Sequence, residues 1–314
     1  MALTQPFVRG CLIGLAVGDA LGGPLQGMDR FEIAQRFGGG VRSMLGGGRL
    51  KLRPGETTAA TAMARLLARS LVEREHFDAN DVAARYVAWL RTNPKGVEPT
   101  IRLALQAWRA GLALPHAALG AHRQLGHSAG NGTIMRCAPI ALRYAYDERR
   151  LIDASRDEAL ITHFDPRAWT GSVALNLLIV ALLREIPLRE ALHRVADRLR
   201  REPRAAHELA DMLETLAPET RADALGTSTA VSDTLRVALW ALLAHASFEE
   251  AVVAAVNLGG EAAIQGAVTG ALAGARWGYD AIPQRWLERL QERDELIELA
   301  DQLLTLAEHG RVVI

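Results

Sequence analysis

Cysteine is nearly absent from this chain: Cys11 and Cys137 are the only two among 314 residues. Two thiols supply neither a disulfide framework nor a four-ligand zinc site, and both stand in apolar runs where a thiol behaves as a small buried hydrophobe. Lysine is as scarce, with Lys51 and Lys95 alone, so the positive charge is carried by arginine. That bias reads as base composition before function. Aromatic residues make up 5% of the chain, and β-branched or aromatic runs with strand-like alternation are few, which argues against a sheet-rich fold. Thirty-six basic side chains balance 36 acidic ones, a formal net charge of +0. No global field draws in nucleic acid or an anionic membrane, so neither partner is expected. The opening MALTQPFVRG lacks a basic region followed by a long apolar run and a cleavage site, and no apolar stretch reaches membrane-spanning length without charge. A cytoplasmic protein is the expectation.

What is abundant is alanine, leucine and arginine at helical spacing. The periodicity predicts helices over residues 62–71, 82–89, 100–110, 168–183, 188–199, 232–244, 248–256, 262–276 and 294–306. Turn signals separate them at Asn93-Pro94-Lys95-Gly96, Leu114-Pro115, Ile186-Pro187 and Ala217-Pro218. With 49% hydrophobic residues and no linker or low-complexity tract, the sequence predicts an all-α globule forming one domain over residues 1–314.

Glycine is placed with a period. Gly266, Gly270 and Gly274 recur at i+4, and so do Gly10, Gly14 and Gly18; each set lies on one bare helix face that lets another backbone come very close. Asp19 closes the first of these helices, positioned to bond a helix end. Gly259 and Gly260 precede the second, where a tight turn or a close approach to a ligand is expected. The glycine-rich stretch 38–61 suggests a mobile loop leading into a helix, with Thr58 and Thr61 as N-capping candidates. In SAGNGTIMRCAP, residues 128–139, Gly130 and Gly132 leave backbone N–H groups accessible and Asn131 offers an amide, a combination suited to ribose or phosphate oxygens.

Taken in order, these stretches resemble the signatures of the ADP-ribosylglycohydrolase family. The resemblance is carried by GCLIGLAVGDALGGP (10–24), the Pro54-Gly55 to Met63 segment, SAGNGTIMRCAP, ITHFDPRAW (161–169), and NLGGEAAIQGAVTGALAGARWG (257–278) with Ile282, Pro283 and Trp286 after it. It covers nearly the whole chain and implies an orthogonal helical globule with one cleft between the motif loops. It also implies that Ser128, Gly130, Asn131, Gly132, Met135, His163, Gly259 and Gly260 bind the ligand.

The departures from the family pattern are concentrated. The family carries Thr-Asp-Asp-Thr and Asp-x-Asp-Thr segments that hold two magnesium ions, whereas here Ala59, Ala60, Ala263 and Ile264 stand at those positions and only Glu261 keeps a carboxylate. Magnesium wants hard oxygen ligands and a methyl offers none, so no metal cofactor is expected. Where the family has a loop glutamate, Gln26 stands nearest, and an amide cannot serve as a base. Three readings follow. The first is a protein that binds ADP-ribose or a related nucleotide, or an ADP-ribosylated protein partner, without metal-dependent hydrolysis. The second is a metal-independent glycosidase using Glu56 and Glu261 as acid and base. The third is a structural protein with a vestigial cleft.

Overall fold

A computed structural model describes residues 2–310. Among the described residues there are 16 α-helices and no sheet; the only β-type pairings there are three isolated bridges. The architecture is organised by two helices, Gln5–Gly22 and Ala262–Trp277, which form the most extensive helix pair. Their bare faces meet each other. A Cβ on Gly10 would lie 2.5 Å from the Gly274 carbonyl oxygen, on Gly14 2.2 Å from that of Gly270, and on Gly18 1.9 Å from that of Gly266. Backbone therefore rests on backbone, and the matching order makes the pair antiparallel. The C-terminal end of the first helix is thereby fixed beside the N-terminal end of the second, which is where the cleft forms.

The periodic segments fold as their spacing predicts, with helices Ala59–Arg74, Ala79–Leu90, Pro99–Arg109, Pro166–Leu183, Leu188–Leu199, Val231–Ala244, Phe248–Val256 and Arg293–His309 joining the central pair. One turn signal is overruled. Leu114-Pro115 opens the helix Leu114–Leu125, because a proline in the first turn forfeits no intrahelical bond. Shorter helices at Arg30–Arg36, Ala138–Arg143 and Gln284–Leu287 are too brief to leave a readable period. Two helices, Gln5–Gly22 (with the turn to Leu25) and Pro166–Leu183, are long and apolar enough to match a membrane span. In each, most of the apolar window, 94% and 78%, is spent inside the protein against neighbouring helices. Arg9 donates two bonds to Asp301 at 2.7 and 2.6 Å and ties the first helix to the last.

The stretch read as a mobile loop is tied to the rest of the protein at several points, although Gly38, Gly39 and Gly47 border open space. Gly48 (φ +66) and Gly55 (φ +78) lie where an added Cβ would meet the carbonyl oxygens of Pro24 and Arg289 at 2.3 and 1.8 Å. Asn257 accepts from the Val41 N–H at 2.7 Å, and the Trp286 indole donates to the Arg42 carbonyl at 3.1 Å. Both cysteines are buried and unbonded to each other, and burial pushes the Cys137 thiol up to about 12.

Gly18→Leu is expected to destabilise the protein by about 3 kcal/mol or more, because neither facing backbone can yield without separating the helices. Gly120→Ala, on an exposed helix face with nothing within 4 Å of the new methyl, is expected to stabilise by about 0.5–1 kcal/mol. Urea denaturation of the two variants checks both signs.

Candidate functional site

Asp19, at the end of the Gln5–Gly22 helix, is fully buried. One carboxylate oxygen accepts from the Thr58 hydroxyl at 2.6 Å. The other accepts from the Thr58 N–H at 2.9 Å, the Thr61 N–H at 3.0 Å and the Thr61 hydroxyl at 2.6 Å. The carboxylate thus serves two otherwise unpaired N–H groups at the start of the Ala59–Arg74 helix. Burial pushes its carboxyl up, and these four donors pull it back. Thr58 is also the N-cap, accepting from the Ala60 N–H at 3.4 Å.

The Gly130–Gly132 loop is clamped from two sides. On one side it pairs with the segment before the Val231–Ala244 helix. The Asn131 N–H donates to the Thr229 carbonyl at 2.8 Å, and the Asn131 amide donates to the Thr234 hydroxyl at 3.0 Å. On the other side lies Glu98, the N-cap residue of the Pro99–Arg109 helix. A Cβ on Gly130 would stand 2.3 Å from Glu98 Oε1, and one on Gly132 would stand 2.3 Å from Glu98 Oε2. The two glycines leave room for a carboxylate of the same chain.

Behind Glu98 runs a buried polar chain. His163 Nε2 faces Glu98 Oε2 at 3.4 Å, and His163 is fully buried. Its Nδ1 pairs with the Thr162 hydroxyl at 2.8 Å, and Arg136 donates to that same hydroxyl at 2.8 Å. Arg136 also donates to Glu158 at 2.5 Å, and Tyr86 donates to Glu158 at 3.0 Å. With Thr162 donating to Nδ1, the ring proton lies on Nε2, toward Glu98. Nε2 and Glu98 Oε2 face each other as a charge-assisted contact without a closed hydrogen bond, and Arg136 Nη1 and Glu158 Oε2 are likewise unpartnered. Burial works to raise the Glu98 carboxyl, but the facing His163 ring and the Arg136 guanidinium outweigh it and hold it below the usual carboxylate range.

Opposite Glu98 stands Glu261. Gln26 bridges it to the helix it precedes: the amide oxygen accepts from the Ala263 N–H at 3.0 Å, and the amide nitrogen donates to Glu261 Oε2 at 3.0 Å. Burial raises the Glu261 carboxyl, the Gln26 bond offsets part of that, and the charge of Glu98 raises it further. Glu98 and Glu261 share one cleft of about 210 Å³, whose wall includes Gln26, Thr58, Asn131 and Met135. No lysine, arginine or histidine is among the described residues lining it.

Several residues expected in the cleft lie elsewhere. Glu56 faces an adjoining cleft of about 320 Å³ that shares only Thr58 and Ala59 with the first. It accepts from the Arg53 N–H at 2.7 Å and pairs with Lys95 at 3.6 Å. The Arg53 bond, with Lys95, holds its carboxyl low, so Glu56 is not Glu261's partner. Ser128 is buried and accepts from the Phe164 and Asp165 N–H groups at 3.2 and 3.0 Å, bonds that fix the His163 turn. Gly259 (φ +77) and Gly260 (φ +64) serve chain packing: an added Cβ would meet the Met28 and Thr227 carbonyl oxygens at 2.2 Å each. His163 does not line the cleft and instead backs Glu98 and the Gly130–Gly132 loop. Asn131, Met135 and Glu261 line the cleft as expected residues, while Glu98 carried no sequence signal beyond an acidic residue before Pro99.

The residues present do not fit a pair of magnesium ions. Ala59, Ala263 and Ile264 present carbon to the cleft, and the Ala60 methyl is buried. The Thr58 and Thr61 hydroxyls and both Asp19 oxygens are committed to one another. No group of three or more His, Cys, Asp or Glu side chains disposed to hold a metal occurs among the described residues.

The raised Glu261 carboxyl has a pH consequence. In the folded state it binds its proton more readily than in the unfolded chain, so its contribution to stability is fully present below the ordinary glutamate range and is lost as pH rises through its raised value. Glu261→Gln lacks that loss. The variant is expected to gain stability relative to the wild type as pH rises from 4 to 7, and denaturation midpoints across that range would show a constant difference if Glu261 were not perturbed.

Comparison with known proteins agrees with this architecture over nearly its full length. The sequence profile of ADP-ribosylglycohydrolase matches residues 4–312. An ADP-ribosyl-[dinitrogen reductase] glycohydrolase of Rhodospirillum rubrum is 32% identical, covering 97% of this chain and 99% of its own. An ADP-ribosylarginine hydrolase, Tri1, of Serratia proteamaculans is 30% identical, covering 95% and 79% respectively. A solved ADP-ribosylglycohydrolase-related protein complex superposes with a TM-score of 0.82 at 35% identity, covering 96% of this chain and 98% of its own. With its glycine-packed helix pair and its motif loops gathered on one cleft, the chain belongs to the ADP-ribosylglycohydrolase family.

Proposed function

We propose that this chain binds ADP-ribose or a related nucleotide or ribosyl ligand in the Glu98–Glu261 cleft without a dinuclear magnesium site, and that it lacks metal-dependent hydrolysis. The observation that carries this is the coexistence of a cleft with polar lining and methyl groups where the family pattern has metal ligands: Asn131, Met135 and Gln26 line the same cleft as Ala59 and Ala263. The relatives' names, ADP-ribosyl hydrolases, support the ligand class. An ADP-ribosylated protein is the corresponding macromolecular partner. The cleft keeps about 210 Å³ of space, which weighs against a purely vestigial role.

Calorimetry with ADP-ribose in magnesium and again in chelator is the test. The expected dissociation constant is the same within about twofold in both, since no carboxylate cluster awaits a cation. Binding that requires magnesium would refute the metal-free reading, and no binding of either ADP-ribose or adenosine in either condition would refute the ligand class.

A second reading is favoured by one specific observation: two carboxyls on one cleft whose proton affinities are pushed apart, Glu261 up and Glu98 down. Such a pair suits acid–base hydrolysis of a glycosidic bond. Glu261 would give its proton to the leaving group as the bond to the anomeric carbon breaks. Glu98 would take a proton from the water whose oxygen bonds to that carbon. Glu98 replaces Glu56 in this scheme. Turnover of an ADP-ribosylated substrate that persists in chelator and falls at least about a hundredfold in both Glu98→Gln and Glu261→Gln is the expected result; absence of turnover in chelator leaves binding alone.

A further inference from the structure

The Gly130–Gly132 loop reads in sequence as a cradle for ligand oxygens, yet the structure fills the space beside it. Glu98 Oε1 and Oε2 each lie 2.3 Å from where a side chain on Gly130 or Gly132 would begin. The carboxylate is held there by the fully buried His163, 3.4 Å away, and the Glu98 side chain is 21% exposed. Its exposed part faces the cleft, whose wall also carries Glu261 and, among the described residues, no basic side chain. The basic residues of the adjoining cleft are already matched: Arg53 and Lys95 with Glu56, and Arg65 with Glu295.

We infer that Glu98 is a specificity-determining residue: seated over Gly130 and Gly132, its carboxylate disfavours phosphate at that wall and selects ribosyl ligands that present hydroxyl or amino groups there. The inference rests on the reading that this cleft binds a ribosyl ligand. A carboxylate and a phosphate are both acceptors, so no hydrogen bond joins them, and two like charges in a partly desolvated cleft oppose each other. A ribose hydroxyl or an amine donates to Glu98 and turns the same contact into an attraction, stronger when the donor is charged. A side chain at either loop position would displace the carboxylate from this seat and press on the His163 ring, which gives Gly130 and Gly132 a reason independent of any phosphate.

The experiment compares adenosine with ADP-ribose by calorimetry on the full chain in chelator, for the wild type and Glu98→Gln, with thermal melts to confirm that the variant folds. The readout is the ratio of the two affinities within each protein. The wild type is expected to bind adenosine at least as tightly as ADP-ribose, and Glu98→Gln is expected to shift the ratio toward ADP-ribose about tenfold or more. An unchanged ratio, or a shift toward adenosine, with adenosine still bound overturns the role of Glu98 and leaves the ribosyl-ligand reading standing. Failure of the wild type to bind either compound overturns both. A salt titration of the wild type decides the matter without any variant. Raising ionic strength from about 0.05 to about 0.5 M is expected to strengthen ADP-ribose binding relative to adenosine by screening the repulsion, and a relative weakening overturns the inference.

Discussion

Backbone contact between two glycine-faced helices is the constraint on which the rest of this structure depends. With carbonyl oxygens where Cβ atoms would otherwise sit, the Gln5–Gly22 and Ala262–Trp277 helices have little freedom to slide or roll. That rigidity has a positional result. It sets Gly22, three residues after Asp19, against Ala262, although 240 residues (262 − 22) separate them in the chain. From Asp19, four hydrogen bonds set the start of the Ala59–Arg74 helix, so a third element inherits its place from the same contact. The N-terminal ends of helices beginning at Ala59, Pro99 and Ala262 all border the cleft, and the positive ends of their dipoles favour negative charge there. Glu98 and Glu261 supply that charge from the chain itself.

The cleft is built with more buried hydrogen bonding than ligand contact alone would need. Glu98, His163, Thr162, Arg136, Glu158 and Tyr86 form one continuous chain, and its inner members are fully buried. Breaking such a chain by removing one member leaves charges unpaired in a low dielectric, which ties the shape of the glycine loop to the integrity of the core. Gln26 performs the equivalent service on the opposite wall, capping the Ala262–Trp277 helix and holding Glu261 with the same amide. The positions where the family pattern places metal ligands lie between these two walls and present carbon. What remains is a cleft whose polarity comes from hydrogen-bonded side chains.

The fold was legible because its signals are local and repeated. Alanine and leucine at helical spacing mark the long helices, and glycines four residues apart mark the faces that need close approach, whatever lies opposite. The motif order identifies the loops that meet. Individual roles within those loops were less legible. Ser128, Gly259 and Gly260 read as ligand contacts but are consumed by packing and by bonds to their own chain. A motif records that a residue type is required at a position and leaves open whether a ligand or the protein requires it. Glu98 carries no such signal for the converse reason, because an acidic residue ahead of a proline is ordinary at the start of any helix.

The long periodic helices, the two bare glycine faces, and the lack of carboxylates at Ala59, Ala60, Ala263 and Ile264 are legible without the fold, since each is a property of residue type and spacing along one segment. Which carboxylates share the cleft depends on how the helices pack. Glu56 lies two residues from Thr58, yet its bonds to Arg53 and Lys95 turn it into the adjoining cleft. Glu98 is brought opposite Glu261 by helix packing across 163 residues (261 − 98) of chain. The direction in which a side chain points at the end of a helix depends on the neighbours that compete for its hydrogen bonds, and those neighbours are assembled only when the helices pack.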